Sequence, residues 1–559
     1  MISYNEERGN IMKIVIVGGV AGGASAAARL RRLSETAEII MLEQGEYISF
    51  ANCGLPYYVG DEITDRGALT LQTPGSFNAR FGVDVRVYSE VTGIDRSGKT
   101  VEIRNRMTGV TYKEAYDKLI LSPGASPFVP LLEGVDNERV FTIRNIPDAV
   151  KIKEYIAEKS PESAVIIGGG YIGLETAENL KRSGLEVSVA EMSDHVIAPL
   201  DYDMACQVHS YLRKKGIGLF LSNGLASIKE DADGKLRIIL KDSELTADIA
   251  LLSIGVKPDT GFARAAGLAL TDSGAIIVDD TMLTSDEDIY AVGDAVEIRD
   301  FVTGCSRNIP LAGPANKQGR IAADNICGID SKYEGTQGSA IIKLFDMTVA
   351  MTGISEAAAK KLDIDYDKVF TLSPSNATYY PGATEMSVKT IFEKRTGKIL
   401  GAQIVGYKGV DKRCDVMAAA IRAGMTATDL TELELCYAPP FSSAKDPVNF
   451  AGYVIENTVS GLVKNFHWHD VGILPRDGSV TLLDVRSAAE YQRGHIEGFN
   501  NIELDSLRDN MERLDKSKPV YINCRSGQRS YLANRILAQN GFDCYNLSGG
   551  YWLYKSIIS

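Results

Sequence analysis

Lys13-Ile14-Val15-Ile16-Val17-Gly18-Gly19-Val20-Ala21-Gly22-Gly23 is the stretch on which the fold turns. The run Lys13–Gly18 is apolar without alternation, as in a strand covered on both faces. Glycines at 18, 19, 22 and 23 permit a tight turn. They also let backbone and a helix N-terminus approach a pyrophosphate. An Ala-rich segment to about Leu33 reads as that helix, and Ile39–Glu43 as a second strand. Together they form a βαβ unit, with Glu43 at the end of its second strand, where a carboxylate meets a ribose hydroxyl. The pattern recurs at Ala164–Gly168, in a helix to Arg182, and in Glu186–Glu191. Two such units imply two bound dinucleotides.

In the second unit Gly168-Gly169-Gly170-Tyr171-Ile172-Gly173 matches GxGxxG between a strand and a helix. Glu191 ends the next strand, where a carboxylate accepts ribose hydroxyls and repels a 2′-phosphate. The expected cofactor is therefore NADH, with NADPH as the weaker alternative. The first turn carries Val20 where the middle glycine is usual, so it is less specific. Two later segments add to it. Leu119–Gly124 is a strand ending in the turn Ser122-Pro123-Gly124, and Ile289–Ala295 places Gly293 and Asp294 at a helix start.

The chain has 559 residues, too many for one core, so about three or four domains are expected. A net charge of −13 argues against nucleic acid or an anionic membrane as partner. No apolar run reaches the ~18 residues that span a bilayer. Residues 1–10 are polar and lack the apolar core of a signal peptide, and Met12 offers an alternative start. Cysteines 53, 206, 305, 327, 414, 436, 524 and 544 show no CxxC spacing, so neither a zinc site nor a disulfide framework is expected. A cytoplasmic protein without metal is the reading. His467 and His469 flank Trp468, but no further ligand type stands beside them.

After about Lys332 the strands lengthen (Ile341–Leu344, Ser387–Phe392, Ile399–Val405) around a helix, Asp411–Ala423, which describes an α+β domain. Residues 453–472 lack a pattern and read as a linker. From Val480 short strands and helices alternate again. In that last part lies Cys524-Arg525-Ser526-Gly527-Gln528-Arg529-Ser530. Small residues and two arginines surround one cysteine. Backbone N–H groups and guanidinium charge there favour a thiolate, which can carry an extra sulfur atom. A phosphatase-type loop also uses Cys and Arg and remains the rival.

Ser49-Phe50-Ala51-Asn52-Cys53-Gly54-Leu55-Pro56-Tyr57-Tyr58 follows the first βαβ unit. The segment resembles the region of glutathione-reductase-like enzymes that holds two cysteines five apart; here position 58 is tyrosine, so Cys53 has no local resolving cysteine. It must cycle through a mixed disulfide, a persulfide or a sulfenate.

The three segments of the first nucleotide site, in this order, resemble the FAD sites of the two-dinucleotide disulfide reductases. Asp294 would then meet the ribityl chain of the flavin, with Gly18, Val20, Ala21, Gly22, Gly23, Glu43, Ser122, Pro123, Gly124 and Gly293 around it. Glu175 matches a position near the nicotinamide, or is an ordinary acidic residue in a first helical turn. Ser49–Tyr58, Ala377-Thr378-Tyr379-Tyr380-Pro381-Gly382 and Cys436–Pro447 make residues 12–453 resemble coenzyme A-disulfide reductase. The resemblance implies Cys53 as nucleophile, with Tyr379 and Tyr437 reaching over it from the partner subunit of a homodimer. It also puts Arg32, Ser49, Asn52 and Lys445 near coenzyme A, though a solvated surface position suits the charged ones as well. Phe81 stands where one family member has a lysine, and Cys436 is a second thiol beside Tyr437. A sister group of NADH oxidases and peroxidases carries a histidine in the first glycine turn. Val20-Ala21 has none, which disfavours peroxide chemistry.

Asp484-Val485-Arg486, Glu490-Tyr491 and Gly494-His495-Ile496, with the Cys524 loop, resemble a rhodanese domain. Cys524 would then carry sulfane sulfur beside Arg525 and Arg529, while Asp484, Arg486 and His495 hold the fold. The expected architecture is α/β. Residues 1–124 and 258–332 form a Rossmann-like FAD domain, and 125–257 an NADH domain. Residues 333–453 form an α+β dimerisation domain, 454–469 a linker and 470–559 a rhodanese domain. The activity implied is NADH-dependent reduction of a coenzyme A persulfide or polysulfide. Coenzyme A-disulfide reduction with an accessory or regulatory rhodanese module is the alternative.

Overall fold

The computed structural model describes residues 11–558. The polar N-terminal stretch 1–10, read above as no signal peptide, lies outside them. The chain divides into two compact units, one running to Met192 with Asn223–Gly338, the other Ser193–Ser222 with the chain from Ser339 onward.

In the first unit, a parallel sheet runs Ile289–Ala291, Lys118–Leu121, Lys13–Val17, Glu38–Leu42, Asp84–Arg86 in spatial order. Its central strands are apolar throughout because both faces are covered, and Ile14, Val15 and Ile16 have no exposed surface. The helix Ala21–Leu33 buries glycines and alanines, so it lies close on the sheet. A second parallel sheet places Ser163–Ile167 between Glu186–Ala190 and Ile249–Leu252, with Val140–Phe141 beyond. The helix Tyr171–Arg182 follows its central strand. Both βαβ units thus stand where their sequence patterns put them.

The second unit holds an antiparallel sheet in the order Ala340–Leu344, Met347–Gly353, Ile399–Gly406, Glu385–Glu393, Tyr366–Pro374. Helices Val410–Ala423 and Pro447–Val459 accompany it. A parallel sheet follows, ordered Lys464–Phe466, Cys544–Leu547, Val520–Asn523, Thr481–Asp484, Asn500–Asn501. The stretch 454–469 is not the patternless linker expected. Its start belongs to the helix ending at Val459, and Lys464–Phe466 is the edge strand of the last sheet. Three residues are too few to show a strand period.

One buried cluster binds this unit together. Lys389, with no exposed side-chain surface, lies 3.0 Å from Asp201, 2.9 Å from Asp203 and 2.8 Å from Glu356. The Trp468 indole N–H donates to Asp203 at 3.2 Å. Burial alone would drive the ammonium neutral, but Asp203, Asp201 and Glu356 outweigh it and raise its pKa. Burial likewise opposes the Glu356 carboxylate, yet Lys389 and Lys368 hold it well below the usual carboxylate range. Removing one partner of such a cluster strands the others without compensation. Lys389→Met should therefore cost about 3–5 kcal/mol of stability, read as a lower denaturation midpoint of the second unit.

Candidate functional site

At the first glycine turn, backbone meets backbone. Gly18 has φ 95°, and a Cβ on it would lie 2.0 Å from the Ser122 carbonyl oxygen. A Cβ on Gly23 would lie 1.9 Å from the Gly18 oxygen. The helix starting at Ala21 has Val20 as its N-cap and no side chain capping it, so its first amides are left for a ligand. The Gly19 N–H donates to one Glu43 oxygen at 2.9 Å, and the Gly45 N–H to the other at 2.8 Å. Ser122 is tied by its N–H to the Val17 carbonyl at 2.7 Å, and Pro123 and Gly124 continue the turn. Asp294 opens the 3-10 turn Gly293–Ala295, where the Gly293 N–H donates to Gln318 at 2.7 Å. Burial pushes the Asp294 carboxyl up, against the pull of Arg144. No described residue donates to it, so it suits a hydroxyl-bearing ligand. Stripped glycines, an uncapped helix and a waiting carboxylate fit a flavin dinucleotide.

The second turn repeats the design. A Cβ on Gly168 would lie 2.4 Å from the Ser253 oxygen, one on Gly173 would lie 2.1 Å from the Gly168 oxygen, and Gly170 faces open space. Gly170 caps the helix of Tyr171 and Ile172 without a side chain. The Gly169 N–H donates to Glu191 at 2.6 Å, as Gly19 does to Glu43. Each carboxylate thus spends one oxygen on its own turn, a bond the sequence reading did not foresee. These residues fit a nicotinamide dinucleotide.

Cys53 sits in a 3-10 turn, Asn52–Gly54, leading into the helix Leu55–Val59. It is exposed and free. Desolvation of the sulfur, then the charges of Glu175 and Asp294, push its thiol above the ordinary thiol range. Glu175 accepts a hydrogen bond from the Tyr57 hydroxyl at 3.0 Å. The structure therefore brings together Cys53, Glu175 and Asp294, three expected site residues from distant parts of the sequence, and adds Tyr57. Ser49, with φ 45°, holds a left-handed backbone beside this turn, and its N–H donates to the Gly19 carbonyl at 2.8 Å. Asn52 and Arg32 are exposed.

In the second unit, the Tyr379 and Tyr437 hydroxyls lie 3.1 Å apart and both rings are exposed. Lys445 is exposed and helps line a cavity of about 300 Å³ whose wall includes Ser526 and Gly527 of the Cys524 loop.

Cys524 itself has no exposed surface. Its Sγ accepts the Gly527 N–H at 3.1 Å and the Ser530 hydroxyl at 3.2 Å. Gly527, at φ 95°, turns the loop so that this amide faces the sulfur. Both arginines are also paired with carboxylates. Arg525 forms a two-pronged pair with Glu385 at 2.7 and 2.6 Å, and Arg529 one with Glu490 at 2.7 and 2.7 Å. Arg529 holds the Glu490 carboxyl down to about 2. The sulfur is thus cradled by an amide and a hydroxyl, with the guanidinium charges matched by carboxylates. Ser530 and Glu490 stood in the motifs already quoted; Glu385 carried no signal. Buried Asp484 and Arg486 pair at 2.7 Å, and His495 stacks on Tyr491 at 3.9 Å, both holding the fold. Among the described residues no group of three or more His, Cys, Asp or Glu could hold a metal ion, and no helix is long and apolar enough to cross a membrane.

Residues 12–319 match the pyridine nucleotide-disulphide oxidoreductase family, 339–447 its dimerisation domain and 471–556 the rhodanese-like domain. The chain is 35% identical over 442 residues to the coenzyme A disulfide reductase of Staphylococcus epidermidis, covering 79% of this chain and 99% of that protein. The reduced CoADR-RHD protein of Bacillus anthracis superposes with a TM-score of 0.96 at 49% identity, covering 99% of each chain. The NAD-dependent persulfide reductase of A. fulgidus superposes with a TM-score of 0.90 at 39% identity, covering 97% of this chain and all of that one (100%).

The Cys53 environment predicts a pH dependence. The thiol is raised, so its thiolate fraction is small at neutral pH and grows as pH climbs past the ordinary thiol value of about 8.5. Glu175→Gln removes a negative neighbour and should move the inflection of Cys53 alkylation to lower pH, raising the rate at neutral pH.

Proposed function

This chain belongs to the pyridine nucleotide-disulphide oxidoreductase family, and from that premise we propose that it reduces a coenzyme A persulfide or polysulfide and releases sulfide. It is an FAD- and pyridine-nucleotide-dependent oxidoreductase acting on a sulfur group. The observation that carries the finer reading is the second thiol. Cys524 lies in a loop built to hold a sulfur anion, in the same chain as a reductase cysteine with no resolving partner. A disulfide offers no sulfane sulfur for such a loop; a persulfide does.

In the proposed chemistry Cys53, as thiolate, attacks the outer sulfur of a persulfide. The S–S bond of the substrate breaks, a new one forms on Cys53, and the carrier thiol leaves with the electron pair. A flavin held by the Gly18 turn, Glu43 and Asp294, reduced by a nicotinamide held by the Gly168 turn and Glu191, would supply the two electrons that cleave the Cys53 persulfide, and hydrosulfide would depart. Overall, one persulfide, one NADH and one proton become a thiol, hydrogen sulfide and NAD⁺. Tyr379 and Tyr437, contributed by the partner subunit of a homodimer, protonate the departing thiolate through their paired hydroxyls. Glu191 selects NADH, because a second negative charge beside it would be repelled. Arg32, Ser49, Asn52 and Lys445 hold the coenzyme A moiety. Cys524 exchanges sulfane sulfur with the coenzyme A carrier, either delivering it from a polysulfide or taking it from the bound persulfide. The division into FAD, NADH, dimerisation and rhodanese domains described above serves this path, with the helix Pro447–Val459 and the strand Lys464–Phe466 joining the last two. A reducing compartment, the cytoplasm, keeps both thiols usable.

Cys524→Ala tests the assignment. NADH oxidation with coenzyme A persulfide should stay within about twofold, while polysulfide use falls at least about ten-fold. Equal retention of both substrates would make the C-terminal domain a regulatory module instead.

A further inference from the structure

Of the two guanidiniums beside Cys524, only one is held within its own domain. Arg529 pairs with Glu490, and Glu490 is itself fixed by the Ser487 N–H and hydroxyl, both at 3.1 Å. That pair is part of a helix cap and is not free to exchange. Arg525 instead borrows Glu385, 140 residues away on the long antiparallel sheet. Both partners of this second pair keep about half of their side-chain surface in water (47% each). The pair is two-pronged, so Glu385 takes up the guanidinium edge that an incoming anion would otherwise engage. Arg525 also feels the charges of Glu490 and Arg529, which places all four groups around one loop. With both carboxylates in place the loop offers two positive and two negative charges, no net attraction for an anion.

We infer that Glu385 is a specificity-determining positioning residue, which occupies Arg525 and so turns the Cys524 loop away from small sulfur oxyanions such as thiosulfate. The inference rests on the proposed sulfur-transfer role of Cys524 and deepens it. Thiosulfate carries its charge on the group bonded to the transferred sulfur, so it needs a free guanidinium at the loop. Coenzyme A persulfide carries its phosphates a long chain away from its sulfur and does not. In either transfer the Cys524 thiolate attacks the outer sulfur. The donor S–S bond breaks as the new one forms, and sulfite or the thiolate of coenzyme A leaves with the electron pair. No external oxidant or reductant enters.

The test uses the full-length flavin-loaded enzyme and measures persulfide formed on Cys524 by intact mass, with thiosulfate and coenzyme A persulfide as separate donors. Glu385→Gln should raise kcat/KM for thiosulfate about ten-fold, mainly through KM, because the neutral amide releases Arg525. Use of coenzyme A persulfide should stay within about twofold. Glu385→Asp should keep the wild-type preference, and the double variant E385Q/R525Q should lose the gain. Unchanged thiosulfate use in Glu385→Gln, a parallel change with both donors, or a gain that survives loss of Arg525 would overturn the inference while leaving Cys524 a sulfur carrier. If no variant forms a persulfide on Cys524 with either donor, the sulfur-transfer reading fails and the inference with it.

Discussion

Everything the chain can do with nucleotides depends on a backbone contact that only glycine allows. At Gly18 and at Gly168 the end of a strand lies so close to a neighbouring carbonyl that a single Cβ would collide with it at 2.0 and 2.4 Å. Gly23 and Gly173 then bring each helix back against that same turn. Together they leave an uncapped helix N-terminus at the sheet edge, twice. Glu43 and Glu191 fasten the turns by accepting from their amides, which fixes each carboxylate beside its turn. Asp294 lies in the turn that follows the strand Ile289–Ala291 of the same sheet, and Cys53 in the turn just after the first βαβ unit.

The two cysteines are held in opposite ways. Cys53 is exposed, and the anionic neighbours Glu175 and Asp294 discourage its thiolate. A raised thiol makes a strong nucleophile once deprotonated, and a poor leaving group, so its reduced state is kept from idle oxidation. Cys524 is buried and receives an amide and a hydroxyl, donors that suit a sulfur anion without requiring a bulk charge. These surroundings suit the redox turnover proposed for Cys53 and the sulfur carriage proposed for Cys524.

Much of this was legible in the residues. The apolar runs and glycine turns placed both βαβ units within a residue or so of their ends, because a doubly covered strand leaves an unmistakable hydrophobic run. Cys524 stood out because small residues and two arginines ring it, and Cys53 because its segment resembles that of a reductase. What stayed hidden depends on contacts distant in sequence. The strand Lys464–Phe466 is too short to carry a period, and it is a strand only because Cys544–Leu547 pairs with it. The Glu385–Arg525 pair spans 140 residues, and neither carboxylate nor guanidinium announces its partner in the sequence. The cluster around Lys389 draws Asp201 and Asp203, Glu356, and Trp468 from three separate segments. The arginines of the Cys524 loop also pair with carboxylates, Arg525 with Glu385 and Arg529 with Glu490, partners the loop itself does not reveal.

The most direct test of the account is anaerobic NADH oxidation by the flavin-loaded enzyme, with coenzyme A persulfide and coenzyme A disulfide supplied in parallel and sulfide measured. The account predicts a much higher kcat/KM for the persulfide, with one sulfide released per NADH oxidised. Faster turnover of the disulfide, with no preference for sulfane sulfur, would contradict it.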